Sequence, residues 1–299
     1  MTTVVAASFQ SYATEIVGGL GSGSVLFLVA SGLTLIFGAL RVINFAHGGL
    51  FLIGGFLTYS FQNEIGFSNG NFWIVVLLAS LAVALCGLGL EVGFFRPIYR
   101  RNVLTQLIVA FGFAFIIAGL VRLEISGGGT TTKGAPPFLS GRVDFGQHQT
   151  VSYFKFFAMG MAIAVGIGLY ALLYKTDLGR MIRAAVSDPQ LLALSGVNVR
   201  MLYTGVFVMG AFLAGFAGSL ATFEGAVRPT DGDIIIRAFI VVVIGGLGSI
   251  SGAFIASMLV GVFEALGTLW LPSANIAIVF AILVLVLAVR PQGLRGATA

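Results

Sequence analysis

Charged residues are scarce in this chain. Only 9% of its 299 residues are charged, whereas an ordinary soluble domain carries about a quarter. With 58% hydrophobic residues and a mean hydropathy of +1.04, the composition excludes a soluble globular protein. Several apolar runs reach the roughly 20 residues that a helix needs to cross a bilayer. The sequence therefore predicts an all-α polytopic membrane protein.

Cysteine and histidine are nearly absent as well. The single cysteine, Cys86, lies within an apolar run, and there are two histidines. Neither an intrachain disulfide nor Cys-His chemistry is therefore expected. The chain also lacks the Gly-Lys-Ser/Thr sequence of a phosphate-binding loop, and the glycine run 127–129 does not supply one. We expect no catalytic residues, no metal and no cofactor in this chain.

Lysine is rare among the basic residues, which helps to decide whether the positive charge serves to bind nucleic acid. Only three of the sixteen basic residues are lysine, and the basic residues cluster beside apolar runs. The net charge of +5 is therefore better explained by the positive-inside rule than by nucleic-acid binding. Membrane lipid, and not nucleic acid, is the expected surrounding.

The apolar runs predict about eight membrane segments, one of them broken. They lie at roughly 17–38, 46–62, 72–95, 103–124, 152–174, 201–225, a broken pair at 238–249 and 252–268, and 275–290. The broken pair forms either a re-entrant hairpin or two short crossings. No linker interrupts the chain, so residues 1–299 form a single transmembrane domain.

Basic clusters after the third, fifth and last segments predict cytoplasmic loops there. The residues are Arg96, Arg100, Arg101, Lys175, Arg180, Arg183, Arg200, Arg290 and Arg295. The N-terminus then lies outside. The outer loop 126–150 is either a flexible connection or a contact for an external partner.

A polar break interrupts the first apolar region between Gly32 and Gly49. Arg41, Asn44 and His47 separate two hydrophobic helices. Such groups are costly in hydrocarbon unless they face protein or water. Two interpretations stay open: the break lines or gates a path, or it is structural and its polar groups satisfy one another. The candidate path residues here are Asn44, Phe45, His47 and Gly48.

A second break is rich in glycine. It contains Gly245, Gly246, Gly248 and Gly252, which interrupt a long apolar run. Paired breaks in transporters point to binding or gating regions, so we add the first three glycines to the candidate path. We expect substitution of Gly248 to be more harmful than that of Gly261.

Acidic residues near the membrane segments are few. Glu91, Glu124 and Glu224 are expected near segment ends, with Arg96 and Arg122 available to pair with the first two. Glu264 lies deeper and joins the candidate path. A paired or interfacial carboxylate is the alternative for each.

The polar stretch at about 176–199 predicts two short cytoplasmic helices. Asp177 is expected to cap the first, Asp188 to cap the second before Pro189, and Gly196 to end it. An apolar face with Leu192 suits docking of a partner, whereas a solvated loop against lipid phosphates is the alternative. The candidate coupling residues are Asp177, Gly179, Arg180, Arg183, Ala184, Ala185, Asp188, Leu192 and Gly196.

Three stretches together resemble the permeases of branched-chain amino acid ABC importers, a family that includes urea and amide importers. They are Gly32–Gly49, the inner loop with Ala184-Ala185 and Gly196, and residues 242–261. The broader importer consensus has Glu where this chain has Arg183, so the similarity is to the subfamily.

The resemblance implies a type II-like ABC importer permease in the bacterial cytoplasmic (inner) membrane. It implies a second homologous permease subunit, two ATPase subunits that hold ATP and Mg, and an external or periplasmic solute-binding protein. The implied solute is a branched-chain or other apolar amino acid, with urea or a short amide as the alternative. A self-sufficient channel or secondary carrier is a further alternative, although it would not need a long structured inner loop.

Overall fold

The computed structural model describes residues 9–65, 70–99, 101–124, 135–146, 149–225, 228, 232–270 and 275–295. Glycines 127–129 and the side chain of Glu124 lie outside this part of the chain. Helices dominate the described residues: α1 (Phe9–Leu40), α2 (Ala46–Ile65), α3 (Phe72–Leu90), α4 (Arg96–Ile98), α5 (Val103–Glu124), α6 (Tyr153–Lys175), α7 (Asp177–Ser187), α8 (Pro189–Leu194), α9 (Val199–Glu224), α10 (Ile234–Gly245), α11 (Ile250–Trp270) and α12 (Asn275–Val289).

Short elements connect the helices at two places. A π-helical turn at Glu91–Phe95 joins α3 to α4. A 3₁₀ turn at Pro137–Leu139 precedes an antiparallel hairpin of β1 (Arg142–Asp144) and β2 (Thr150–Ser152), in which Val143 faces Val151. We call the end of the bundle where β2 meets α6 the outer end, and the end where α6 meets α7 the inner end.

Six stretches of the described chain are long and apolar enough to cross a membrane. They are Gln10–Leu40, Phe72–Ile98, Val103–Leu123, Tyr153–Lys175, Val199–Glu224 and Ile250–Leu269. Two shorter apolar helices lie at Ile234–Gly245 and Ala277–Val289. The prediction of an all-α polytopic membrane protein is confirmed, and the count of eight segments stays a prediction.

Helices α1 and α9 form the centre of the bundle. In their most apolar windows 83% and 78% of the residues are buried, against 17% for α5 and for α6. Helix α1 packs against α11, α9 and α6, and α9 packs against α2 and α3. A helix that is apolar on every side belongs in such a core, which explains why these sequences show no polar face.

Glycines allow the central helices to meet backbone to backbone. A methyl group at Gly19 would lie 2.6 Å from the carbonyl oxygen of Gly261, and one at Gly32 would lie 2.7 Å from that of Gly210. Small residues permit such close crossings in membranes. Gly261 therefore belongs to the contact between α1 and α11, which its position in the sequence did not indicate.

Helices α10 and α11 fold back on each other as a hairpin. Arg237, near the start of α10, bonds Glu264 on the outer part of α11, and Gly245 meets Gly252 at the bend. The bend lies beside Gly38, close to the inner end of α1. With 12 residues, α10 is about 18 Å long, so it is the short arm of the hairpin.

Candidate translocation path and coupling region

The first break returns the chain into the bundle. Arg41 is the one non-glycine residue of the described chain with a positive φ, 55°, and it ends α1 with a hydrogen bond from its N–H to Phe37 O. Residues 42–44 are irregular, and α2 begins at Ala46. The His47 Nε2 atom lies 3.1 Å from Val29 O. Helix α2 therefore begins beside the body of α1, well inside the bundle.

Polar side chains at this break are buried without full hydrogen bonding. Asn44 and His47 have no exposed surface. Among the described residues, neither the nitrogen nor the oxygen of the Asn44 amide has a hydrogen-bond partner, and His47 Nδ1 has none. An unmade bond of a buried polar group costs about 1–3 kcal/mol. Asn44 and His47 do not bond each other in this conformation, and His47 Nε2 contacts the backbone of α1 instead.

Phe45 and Gly48 connect the first break to its neighbours. The Phe45 ring stacks on Phe111 of α5 at 4.1 Å between centroids and lies 5.8 Å from Phe239 of α10. A methyl group at Gly48 would lie 2.9 Å from Cβ of Ile235 on α10. Two aromatic contacts and one glycine contact thus hold the break between α5 and α10.

The second break is closed by the C-terminal segment. Gly246 and Gly248 have φ values of 99° and 85°, which a residue without Cβ adopts easily. The N–H of Leu294 donates to Ile244 O at 2.8 Å, and the N–H of Arg295 donates to Gly245 O at 3.1 Å. The end of α10 therefore receives hydrogen bonds from a segment about 50 residues later in the chain.

The last turn of α1, just before the first break, contacts the second break near the inner end. A methyl group at Gly38, in the last turn of α1, would lie 3.2 Å from Cα of Gly248. The two regions therefore meet through the end of α1, whereas Gly48 contacts Ile235 near the start of α10.

Glu264 is paired and partly exposed to a cavity. Its Oε1 accepts from Arg237 Nη1 at 2.8 Å. Both residues line a cavity of about 410 Å³ at the outer end. A neighbouring cavity, which Glu264 shares with Phe51 of α2, connects it to the helix that begins at the first break.

Glu91 and Glu224, which were expected near segment ends, are also paired. Glu91, fully buried, accepts from Arg96 at 2.8 Å, from Thr204 at 2.9 Å and from Tyr99 at 3.2 Å. Glu224 pairs with Lys155. Burial first, and then the negative charge of Glu91, raises the pKa of Tyr99 above its usual value. The Tyr99 hydroxyl therefore stays protonated and can donate a hydrogen bond to Glu91.

The inner loop folds into the two expected helices, with one change in the caps. Asp188 Oδ1 accepts from the N–H groups of Gln190 and Leu191, each at 2.9 Å, as predicted. Gly196, with a φ of 85°, follows α8 as predicted. At α7 the cap is Thr176, whose Oγ1 accepts from Gly179 N at 3.1 Å. The prediction of an Asp177 cap is wrong, because Asp177 lies inside the first turn and pairs with Arg180.

The coupling candidates divide between two faces of the loop. Gly179 and Ala185 are buried against the bundle, and Leu192 packs partly against it. Arg183 and Ala184 are exposed, as are Leu191 and Leu194 on α8. Ala185 therefore anchors the loop, and the exposed residues form its accessible face.

Arg41 connects the first break to the inner loop. Its Nη2 lies 3.4 Å from Val186 O, near the C-terminal end of α7, where unpaired carbonyl groups attract cations. Sequence analysis identified Arg41 only as part of the break, because the contact spans 145 residues. Beside it lies a cleft of about 1070 Å³, lined by residues that include Leu40, Tyr99 and Tyr203.

Comparison with known proteins identifies the class that this architecture belongs to. Residues 15–289 match the family described as the permease component of branched-chain amino acid transport systems. The chain belongs to this family, and the predicted resemblance is confirmed. It is a multi-pass permease of the inner membrane.

Several curated permeases are similar along nearly their whole length. BraD of Pseudomonas aeruginosa, a high-affinity branched-chain amino acid transport permease, is 31% identical over 95% of this chain and 96% of its own. LivH of Escherichia coli K12 is 28% identical, with 96% of both chains covered. LivM of the same strain is 28% identical over 92% of this chain and 68% of its own. No solved structure matches.

Proposed function

We propose that this chain forms half of the translocation path of an ATP-driven importer for branched-chain amino acids. The similar proteins BraD and LivH carry this substrate class in their names. LivM, a similar permease of the same organism as one LivH, represents the kind of homologous subunit that would supply the other half. The absence of a phosphate-binding loop in the sequence assigns ATP hydrolysis to two separate ATPase subunits, and a solute-binding protein would deliver the substrate.

The proposed coupling mechanism depends on the contact between Arg41 and Val186 O, which joins the first break to the inner loop. ATPase subunits that close against the exposed face of α7 and α8 would push on a loop that Ala185 and Gly179 anchor to the bundle. Arg41 would transmit that displacement to the first break. There, movement of α2 would free Asn44 and His47 from their buried positions and expose them to the path. Counted with the α10–α11 hairpin as one unit, eight membrane segments would surround this path.

Reconstitution into vesicles tests the proposed function. The chain alone should give no solute flux. The chain with a second permease, two ATPase subunits and a leucine-binding protein should take up leucine only with ATP. Saturable uptake by the chain alone would contradict the importer and favour a carrier. ATP-dependent uptake of urea or acetamide, without leucine uptake, would contradict the substrate class.

Two charge substitutions test the coupling face. Leu194→Glu places a charge on an exposed residue of α8, and we expect a folded chain that no longer binds ATPase subunits. Ala185→Glu places the charge against the bundle, where an unpaired buried charge is strongly destabilising, so we expect loss of folded protein. Size-exclusion chromatography and co-purification separate these results. Normal ATPase binding by the Leu194→Glu variant would exclude α8 from the docking face.

A further inference from the structure

A charged cavity lies at the outer end of the bundle, at the other end from the inner loop. It encloses about 410 Å³ between the outer part of α1, β2, the start of α6, and helices α10 and α11. Two acidic and two basic side chains line it, namely Glu15, Lys155, Arg237 and Glu264. Four ionisable groups around one cavity are unexpected in a chain with so few charges, because charged side chains within membrane proteins are rare and mark substrate or ion pathways.

A second cavity continues from the first toward the middle of the bundle. It encloses about 280 Å³ and shares Ser22, Arg237, Gly261 and Glu264 with the first cavity. Glu224 also lines it. The remaining wall is apolar and consists of Val25, Leu26, Phe51, Ala221 and Ile234. The two cavities together have a polar end and an aliphatic end, which meet at the ion pair of Arg237 and Glu264.

The charges are held in place but are not fully enclosed by their partners. Lys155 donates to Ser22 Oγ at 2.6 Å and pairs with Glu224. The side chains of Arg237 and Glu264 keep 42% and 23% of their surface exposed. A guanidinium has five N–H donors, and carboxylates retain lone pairs after one ion pair. Each sign of charge therefore has bonding capacity left for a ligand.

We propose that the two connected cavities bind an amino acid as its zwitterion. The carboxylate of the ligand meets Lys155 and Arg237, the ammonium meets Glu15 and Glu264, and an aliphatic side chain enters the apolar part beside Leu26 and Phe51. This inference rests on the proposed function and deepens it, because it gives the permease its own contribution to substrate choice. It also gives Glu264, a candidate path residue, a role in substrate binding at the outer end.

Protection of an introduced cysteine tests the site. In a Cys86→Ala background, Thr268→Cys places a thiol on the wall of the first cavity, at an exposed position. Ser140→Cys is the matched control, since Ser140 is exposed near the same end but does not line the cavities. Right-side-out membrane vesicles, washed free of binding protein, are treated with a membrane-impermeant methanethiosulfonate. The additions compared are L-leucine, leucinol and 4-methylpentanoate.

We expect leucine to slow the labelling at position 268 by about threefold when its concentration is about twice Kd, and more at higher concentrations. Labelling at position 140 should not change. Leucinol lacks the carboxylate and 4-methylpentanoate lacks the ammonium, so neither should protect. Equal protection by either analogue, or protection of the control thiol, would overturn zwitterion binding in this cavity.

Substitution of Arg237 extends the test to the charges themselves. Arg237→Gln should raise the leucine concentration for half-protection by about tenfold or more, the usual effect of losing a hydrogen bond to a charged group. Arg237→Lys, which keeps the charge, should recover most of that loss. Glu264→Gln provides a second variant if Arg237→Gln does not accumulate. Unchanged half-protection in both neutral variants would overturn the proposal.

Failure of the site and failure of the proposed function give different results. If the vesicles, supplied with binding protein and ATP, import leucine while leucine protects nothing at position 268, the site is wrong and the importer stands. If leucine is neither imported nor protective, the proposed function fails, and the inference fails with it.

Discussion

The chain turns at both breaks, but the local structures of the two turns differ. At 246–249 the chain turns on glycines with positive φ, and the N–H groups of Leu294 and Arg295 satisfy the carbonyl groups at the end of α10. At 41–45 it turns on an arginine in a left-handed conformation, which costs a non-glycine residue about 1–2 kcal/mol, and it leaves Asn44 without partners.

The difference indicates which break moves. Opening the glycine break would cost the hydrogen bonds from Leu294 and Arg295, so we expect it to be a fixed support. A break that buries unpaired polar groups is strained in the conformation described, and it is relieved when water or solute reaches it. We therefore assign the conformational change to the first break and the rigid contact to the second.

The largest loss of stability is expected for a substitution at the second break. In Gly252→Ala the new Cβ would overlap the carbonyl of Gly245, so the backbone must shift, at a cost of about 3 kcal/mol, the upper end for overpacking. Gly168→Ala is the control, because a Cβ there has open space, and it should be neutral or slightly stabilising. Thermal unfolding in detergent measures both. A Gly252→Ala variant as stable as Gly168→Ala would show that the hairpin bend is not rigid.

At the first break, by contrast, a substitution is expected to increase the stability of the protein. Asn44→Leu replaces an unpaired buried amide with an apolar side chain of similar size, and it should stabilise this conformation by about 1–2 kcal/mol. Uptake should fall, because the variant favours one state of the cycle. A lower melting temperature would show that Asn44 has partners that stabilise the fold.

The accessibility of cysteines introduced at positions 44 and 47 tests whether the first break opens during transport. In the Cys86→Ala background, a thiol at either position should react with a water-soluble reagent only during the transport cycle, because both residues are buried here. Labelling is compared with and without ATP. Complete protection in every state, with transport retained, would favour a structural break.

A smaller loss is expected at Gly248. Its φ of 85° makes Gly248→Ala cost about 1 kcal/mol, with Gly248→Asn milder. The sequence led us to expect Gly261 to be more tolerant, but a Cβ on Gly261 would lie 2.6 Å from Gly23 N on α1. We now expect Gly261→Ala to be the more harmful of the two. The melting temperatures of these variants decide the order.

The smallest effect on stability is expected at Arg41. Arg41→Gly removes the cost of the positive φ and also removes one exposed contact with Val186 O, so the melting temperature should change little. ATP hydrolysis by the assembled transporter should continue while uptake per ATP falls. Arg41→Lys keeps the charge and serves as the comparison. Unchanged coupling in Arg41→Gly would remove this residue from the mechanism.

Local signals predicted much of this architecture. The apolar runs, the Asp188 cap and the turn at Gly196 depend on residues near one another in the sequence, and all three are present. The inward position of Ala185 and the depth at which α2 begins depend on helices far away in the chain. Periodicity does not reveal such contacts, because a bundle that is apolar on all sides has no face that marks its neighbour.

The partnership of α1 with α11 has a consequence for biogenesis. Helix α1 is synthesised long before its main partner α11, and Gly19 meets Gly261 only after the helices between them have been translated. The C-terminal residues Leu294 and Arg295 complete the bend later still. During synthesis, the serine and threonine groups of α1 remain beside the translocon or in lipid until α11 is available. Long-range closure of this kind is slow, so nascent chains that stall before α11 should be prime substrates for membrane proteases.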